Sequence, residues 1–446
     1  MKRLNQLASA ALVAVCAAGF APAVFGQSTG SADFTRFVAV GDSLGSGFVS
    51  GGLVAPSQSN SVPALIYKQA TGNTLAHPLV APPGAPALLQ LLNLSPLTIA
   101  PRTGTGQPLT VPPFGNLSVP GFRIGDSLRT VTGNAIIDLV LRGRGTQLQQ
   151  AVAARPTFAL LWLGNNDVLG AATSGLVIEG VTLTPVASFQ ADYTSAVNQL
   201  RAAGAKLVMA TLPNVTSIPF VTTIPPVVVN PSTNQPVLGP NGAPIPLLGP
   251  GNVPLGPGDR VLLTATTPLR QGIGIPAAVG GTGVGLGDQF VLSASEVATI
   301  AARVEAYNAI IRQQAQASGS ALVELQPVLT QAAGRGINVG GVNFTSAFVT
   351  GGVFSLDGVH PYPFGYAYLA NEFIKAINTT YGADIPLVDL FPFMFGVEGA
   401  PIHLFGLDHV GEFTFTEGAK KQLFEALRIS TEPTATPPKK KKRGRR

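Results

Sequence analysis

The sequence predicts an α/β protein in which helices cover both faces of a parallel sheet. Short apolar segments rich in β-branched residues are typical of buried strands. Amphipathic segments with the period of a helix lie between them, and this alternation is typical of parallel sheets. The predicted strands are residues 37–40, 158–163, 206–212 and 321–326.

The helices between these strands are predicted from their capping residues and apolar faces. Residues 293–319 begin with a capping box formed by Ser293 and Glu296, after which apolar residues recur on one face. Residues 189–204 form a second predicted helix, which ends at a glycine just before the next strand. Further helices are expected at 128–141, 364–378 and 417–429.

Residues 214–292 interrupt this alternation. They are rich in proline and glycine and carry a turn signal at Asn241-Gly242, so we expect an insertion of hairpins and loops. The glycine cluster "GGTGVGLG" (280–287) matches neither the dinucleotide-binding nor the P-loop pattern, and it follows no predicted strand. We therefore expect a loop there and no phosphate site.

The N-terminal residues 1–26 have the layout of a secretory signal peptide, with Lys2 and Arg3 before an apolar segment that ends in small residues. The alternative is a lipid-bearing Cys16, but Val15 before it is bulkier than such a cleavage site prefers. Because Cys16 is the only cysteine, the mature chain should have no disulfide or thiolate metal site. We expect an extracytoplasmic protein, secreted or periplasmic.

The net charge of +6 comes from the ends of the chain. Seven of the 28 basic residues lie in "KKKKRGRR" (439–446) and two in the signal, against 22 acidic residues in total. The rest of the chain is mildly acidic, so we expect no nucleic acid partner. The basic tail is either solvated and disordered or a contact to an anionic envelope surface.

The letters GDSL occur twice, at 41–44 and 125–128, and either serine could be a nucleophile. A serine nucleophile needs a base, which is usually histidine. The sequence has four histidines: His77, His360, His403 and His409. His77 lies in a proline-rich loop without a nearby carboxylate, and His409 adjoins Asp408, although adjacent side chains usually diverge.

His360 has the best-placed carboxylate. Asp357 precedes it by three residues on a turn made by Gly358. This spacing allows the carboxylate to accept a hydrogen bond from Nδ1 of the ring, which leaves Nε2 for a serine. The same spacing also occurs in turns that merely carry a surface histidine, so this pair needs support from other motifs.

Ser43 is the better candidate of the two serines. It directly follows the strand 37–40, and open α/β sheets place their chemistry at the carboxyl ends of strands. Ser127 follows no clear strand and precedes a predicted helix, so we expect a helix entry capped by Asp126 or Ser127. An asparagine amide in "GNND" (164–167), at the end of another strand, could donate to a developing oxyanion, although a capped turn would look the same.

Taken together, four motifs resemble the SGNH, or GDSL, hydrolase family. They are "GDSL" (41–44), a glycine in "NLSVPGFR" (116–123), "GNND" (164–167) and "DGVH" (357–360). They follow one another in the family's order between about residues 35 and 380.

The resemblance implies a three-layer α/β/α fold with a central parallel, flavodoxin-like sheet. It implies that Ser43 is the nucleophile, His360 its base and Asp357 the residue that orients the base. The oxyanion hole would consist of the backbone N–H groups of Ser43 and Gly121 and the side chain of Asn166. On this basis the hydrolase domain spans 27–383, followed by a C-terminal extension (384–430) and a disordered basic tail (431–446).

We therefore expect an exported serine esterase that cleaves a lipid, an acetylated glycan or a small ester through an acyl-enzyme, without a metal or other cofactor. An acyltransferase or a glycan O-deacetylase would use the same residues. "GDSLG" also fits the nucleophile elbow of α/β-hydrolases, but no oxyanion loop of that fold precedes Ser43. The competing hypothesis is a non-catalytic envelope-binding protein on the same fold.

Overall fold

The structure is a computed structural model that describes residues 28–94, 97–394 and 413–427. The predicted signal peptide, the basic tail, His403 and His409 lie outside these residues. Within the described ranges, no helix has both the length and the apolar character that a membrane span requires.

The centre of the molecule is a four-stranded parallel sheet in the order β1-β4-β5-β8. All four strands coincide with the predicted ones, which are confirmed apart from one to three residues at their ends. In chain order, the strands are β1 (Phe37–Gly41), β2 (Leu89–Leu94), β3 (Leu97–Pro101), β4 (Phe158–Trp162), β5 (Lys206–Ala210), β6 (Arg260–Val261), β7 (Val291–Leu292), β8 (Ala321–Val323), β9 (Ile337–Val339), β10 (Val342–Phe344) and β11 (Phe413–Phe415).

Helices cover both faces of this sheet. In chain order, they are α1 (Ser43–Ser46), α2 (Ala55–Gln58), α3 (Val62–Thr71), α4 (Ile124–Arg129), α5 (Ala135–Leu141), α6 (Gln147–Ala153), α7 (Asn166–Ser174), α8 (Val186–Ala202), α9 (Pro219–Thr222), α10 (Thr266–Arg270), α11 (Ala294–Ser318), α12 (Gln326–Ala333), α13 (Pro363–Tyr381) and α14 (Glu417–Ala426). The predicted capping box of α11 is present, because the Ser293 and Glu296 side chains each accept the other residue's backbone N–H.

Alternate residues of each central strand enter two different cores. In β1, Val38 and Val40 pack with α6 and α8, whereas Phe37 and Ala39 pack with α3 and α13. Strands that are apolar on both faces in this way are typical of a parallel sheet between two helical layers. The predicted three-layer α/β/α architecture is therefore confirmed.

A short extended segment, residues 115–119, continues the sheet beyond β1. The N–H of Ala39 donates to the carbonyl of Gly115, and the N–H groups of Leu117 and Val119 donate to the carbonyls of Ala39 and Gly41. This segment was not predicted as a strand. It carries the chain to the carboxyl end of the sheet, where Gly121 follows.

The predicted helix 128–141 is wrong in its extent. It consists of the end of α4 and of α5, separated at 130–134, and Asn134 begins α5 by accepting the N–H groups of Ile136 and Ile137. At the start of α4 the N-cap position belongs to Arg123, whose N–H donates to Asp126. Asp126 and Ser127 both lie inside the helix, so neither is the N-cap residue that was predicted, although the Asp126 side chain accepts the N–H of the N-cap residue.

The insertion folds as short hairpins around its own small core, formed by Val228, Leu247, Val261, Leu286 and Val291 among others. Its regular part is the antiparallel pair of β6 and β7, and isolated bridges join the rest. The glycine cluster 280–287 lies outside helices and strands, as predicted.

The described part of the C-terminal extension packs into the main body. β11 pairs in parallel with β3, which also pairs antiparallel with β2, and this small sheet lies beside α14. Ala419 and Leu423 of α14 are buried in the same core as one face of the central sheet.

Candidate active site

Ser43 lies where β1 ends and α1 begins. Asp42 is the N-cap of α1, and its Oδ1 accepts the N–H of Leu44 at 2.9 Å. The helix is only one turn long and ends at Gly47, whose backbone is left-handed (φ +75°). This sharp change from strand to helix presents the Ser43 hydroxyl at the carboxyl end of the sheet, and the side chain is 6% exposed.

The hydroxyl of Ser43 meets the predicted histidine. The Oγ of Ser43 lies 2.8 Å from Nε2 of His360, and Nδ1 of the same ring lies 2.9 Å from Oδ2 of Asp357. All three side chains are buried, and the ring of Phe48 packs against the imidazole with a centroid distance of 4.8 Å. The structure thus joins residues that are 317 positions apart in the sequence.

The turn that holds Asp357 and His360 requires a glycine at its centre. Gly358 has φ +70°, which disfavours residues with a Cβ. A Cβ added there would lie 2.7 Å from Cδ1 of Leu263 and 3.1 Å from the backbone nitrogen of Phe220. The sequence "DGVH" therefore allows the carboxylate and the imidazole to face each other beside the insertion.

Five donors surround the carboxylate of Asp357. Oδ1 accepts the backbone N–H groups of Val359 (2.9 Å) and His360 (2.8 Å) and the hydroxyl of Ser355 (3.1 Å), while Oδ2 accepts the N–H of Gly51 (2.9 Å) and faces His360. Burial alone would raise the pKa of Asp357, but the neighbouring His360 and the backbone donors outweigh it and lower the pKa below its ordinary value. The group is therefore a carboxylate at neutral pH.

The predicted oxyanion donors lie at the same end of the sheet. Within the described parts of the chain, the N–H groups of Ser43 and Gly121 donate to no acceptor. The Nδ2 of Asn166 donates to the carbonyl of Phe122 at 3.0 Å. Because an amide nitrogen carries two hydrogens, one remains for a ligand. Gly121 and Asn166 line the same cavity.

A hydrogen bond that the sequence did not reveal connects two of the motifs. The Nδ2 of Asn165 donates to Oδ2 of Asp42 at 3.0 Å, across 123 residues. Burial raises the pKa of Asp42 to about 6, while the hydrogen bonds from Asn165 and the Leu44 N–H oppose this rise. The bond connects the end of β1 to the end of β4 and so links the loop that carries Ser43 to the "GNND" loop.

Asp167, the last residue of "GNND", supports the glycine loop. Its Oδ2 accepts the N–H of Ile124 at 2.9 Å, three residues after Gly121. Burial raises the pKa of Asp167 to about 7, although the hydrogen bond from Ile124 lowers it. The role of this residue was not predicted, and its only sequence signal was its place in the motif.

The other candidates lie away from this arrangement. Ser127 is fully buried, and its hydroxyl donates to the carbonyl of Ile124 at 2.6 Å, one turn back in its helix. His77 is buried with its Nδ1 3.3 Å from Nδ2 of Asn116, and burial lowers its pKa to about 4. Neither of them contacts the Ser43 hydroxyl in the described structure.

Comparison with known proteins places the chain in a family. Residues 37–373 match the family described as GDSL-like Lipase/Acylhydrolase. A catalytic mutant of an acetylxylan esterase from Geobacillus stearothermophilus is 12% identical over 76% of this chain and 93% of that one, with a TM-score of 0.34. The extracellular lipase from Streptomyces rimosus is 16% identical over 77% of this chain and 98% of that one, with a TM-score of 0.33.

No curated protein is significantly similar to the chain in sequence. The family match nevertheless covers most of the chain and includes all four motifs together with the parallel sheet that positions them. The chain therefore belongs to the GDSL-like lipase/acylhydrolase family and is a serine ester hydrolase.

Proposed function

We propose that Ser43, His360 and Asp357 hydrolyse a carboxylic ester through an acyl-enzyme. The observation that carries this proposal is the unbroken series of contacts from the Ser43 hydroxyl through both ring nitrogens of His360 to Asp357. His360 takes the proton of Ser43 as the oxygen attacks the ester carbonyl, and then gives it to the leaving alcohol. Water, activated by the same ring, releases the acid and restores the serine.

The tetrahedral oxyanion would be bound by the N–H groups of Ser43 and Gly121 and by the side chain of Asn166. The two N–H groups have no acceptor among the described residues, which supports this role. The left-handed backbone of Gly121 (φ +79°) follows the extended segment 115–119, which hydrogen bonds to β1. Donors held in this way need little reorganisation when charge develops on the substrate.

Asn166→Ala should lower kcat by about 10²–10³-fold and leave KM nearly unchanged, because the donor acts mainly in the transition state. Asn165→Ala is the matched comparison, since it removes the neighbouring amide and its bond to Asp42. That variant should lose thermal stability and retain more activity than Asn166→Ala. Steady-state kinetics and thermal melts test this prediction. Equal kcat in Asn166→Ala and the wild type would show that the Asn166 side chain is not an oxyanion donor.

The cavity beside these donors favours a short acyl group. It has a volume of about 110 Å³ and is lined by Gly121 and Asn166, by the apolar side chains of Leu176, Ile178, Val181 and Leu427, and by the polar residues Arg123, Ser174 and Thr182. An apolar cavity of about 150 Å³ takes a benzene molecule, so this space suits an acyl chain of a few carbons. An acetylated glycan or a small ester fits this better than a long-chain lipid.

A fluorophosphonate probe and a panel of esters test this function. The probe labels only an activated serine, so wild-type protein should be labelled, and mass spectrometry should place the label on Ser43. Among acetyl, butyryl and octanoyl esters of one alcohol, the acetyl or butyryl ester should have the highest kcat/KM. An unlabelled wild-type protein would refute the catalytic proposal, whereas preference for octanoyl would refute only the proposed acyl length.

We also propose that the protein is exported and that its basic tail retains it at an anionic envelope surface. The N-terminal segment supports export, and basic residues near an anionic membrane contribute about 1 kcal/mol each. Deleting residues 439–446 should abolish co-sedimentation with anionic vesicles and leave hydrolysis of a soluble ester unchanged. Binding of the intact protein should also weaken as salt rises. Equal sedimentation of both forms would show that the tail is not an anchor.

A further inference from the structure

A glutamine from the C-terminal helix reaches the loop that supports Asp357. Gln422, on α14, is 7% exposed, and its Nε2 donates to the carbonyl of Gly51 at 3.0 Å and to that of Ala87 at 2.6 Å. The N–H of Gly51 donates in turn to Oδ2 of Asp357 at 2.9 Å. This is the oxygen that faces the imidazole of His360, so three hydrogen bonds connect the helix to the histidine ring.

The backbone at Gly51 needs such support. Ser50 and Gly51 have φ values of +47° and +78°, and the left-handed region is unfavourable for a residue with a side chain, such as Ser50. The N–H of Ser50 donates to the hydroxyl of Ser355 at 2.9 Å, and its carbonyl accepts the N–H of Leu89. Gly51 itself is held by one bond on each side, its N–H by Asp357 and its carbonyl by Gln422.

The helix that carries Gln422 is firmly placed. Ala419 and Leu423 on either side of it are buried in the main core. The hydroxyl of Thr416 caps the helix by accepting the N–H of Ala419, and β11 just before it pairs with β3. The amide of Gln422 therefore enters the loop from a packed element, and its two hydrogens satisfy carbonyls of two different segments.

We propose that Gln422 is a positioning residue of the active site, which acts through Gly51 to hold Oδ2 of Asp357 against the ring of His360. This rests on the catalytic roles proposed above. If Gln422 has this role, the full catalytic rate depends on part of the C-terminal extension, which lies beyond the last of the four motifs. Gln422 does not contact the Ser43–His360 pair in the described structure and would affect the reaction only through the loop.

Gln422→Met tests the proposal, because methionine keeps the length and approximate volume of glutamine and removes both donors. The carbonyl of Gly51 would then be buried without a partner, and the loop would relax away from Asp357. A displacement of about 1 Å at a catalytic group can reduce rate by about 10²-fold. For the partial shift expected here, kcat per active site should fall about tenfold, with KM within about twofold. Active sites are counted by titration with a fluorophosphonate.

Leu423→Ala is the matched control on the same helix. It removes buried packing next to Gln422 but leaves the bond to Gly51, so its melting temperature should fall while kcat per titrated site stays within about twofold of wild type. The proposal is overturned if Gln422→Met has wild-type kcat. It is also overturned if both variants lose kcat in proportion to their loss of stability.

Gln422→Glu provides an independent test should the methionine variant fail to fold. A neutral carboxylic acid at this position can donate a hydrogen bond to one of the two carbonyls, that of Gly51 or that of Ala87, whereas the ionised form can donate to neither. The kcat of this variant relative to wild type should therefore decline as pH rises, and a constant ratio near one would overturn the proposal. If wild-type protein is labelled and active while Gln422 variants match it, only this inference fails and the proposed function stands.

Discussion

Ser43→Ala should lower kcat for ester hydrolysis by about 10³-fold or more, as in other triads whose members act as a unit. The hydroxyl is the only group within hydrogen-bond distance of Nε2 of His360 among the described residues, so nothing there replaces it as the nucleophile. The substitution should change stability little, because it removes a single hydrogen bond. Initial rates on a short-chain ester, with folding checked by thermal melts, measure the loss.

Ser127→Ala is the matched control, because it alters the same residue of an identical GDSL motif. Its hydroxyl bonds only to the carbonyl of Ile124 and has no base beside it in the described structure. Turnover should stay within a few-fold of wild type, at a cost in stability of about 1 kcal/mol. Loss of activity in Ser127→Ala together with an active Ser43→Ala would reverse the assignment of the nucleophile.

Asp357→Asn should have an effect of similar or greater size, about 10⁴-fold in kcat. Oδ1 accepts three donors, so the amide oxygen should take that place and the amide nitrogen should face His360. The ring would then present a lone pair to the asparagine and carry its proton on Nε2, which cannot act as a base toward Ser43. The shape of the site would remain, but the proton of the His360 ring would be on the wrong nitrogen.

The measurement is kcat/KM over a range of pH, with the melting temperature as a check on folding. The N–H of Gly51 would also meet a donor in this variant, so some loss of stability is expected. In the wild type, the pKa of Asp357 is below its ordinary value, so its ionised carboxylate stabilises the fold. This contribution to stability is fully present at pH values above the ordinary pKa and is lost as the pH falls through the lowered pKa. Activity of Asp357→Asn within tenfold of wild type would contradict the orienting role.

The central strands could be predicted because each is buried on both faces. Such strands are short and apolar, and in β1 also rich in β-branched residues, and this signal depends on little else in the sequence. Residues 37–40 and 158–163 match β1 and β4 closely for this reason. The segment 115–119 lacked that signal, because its extended shape depends on hydrogen bonds to Ala39 and Gly41, which only the folded sheet provides.

The candidate site was also predictable only in part. Asp357 and His360 are three residues apart, so the sequence alone suggested their contact, and the end of β1 suggested Ser43. Burial could not be predicted, since an exposed histidine on the same turn would have an identical sequence. The hydrogen bonds of Asn165 to Asp42 and of Gln422 to Gly51 span 123 and 371 residues, so the local sequence carries no signal for them.

The hairpin insertion has a consequence for the integrity of the chain. Part of the insertion packs in a small core of its own, whereas other insertion residues, such as Phe220 and Leu263, belong to a main core, and the Asn241-Gly242 turn is exposed. Ser43 lies before this turn and His360 after it. The two parts of the molecule are held together by the sheet and its helices, with β5 and β8 from opposite sides of the insertion paired directly. A protease that cuts at the exposed turn would therefore leave a nicked enzyme whose two fragments stay associated and keep the active site intact.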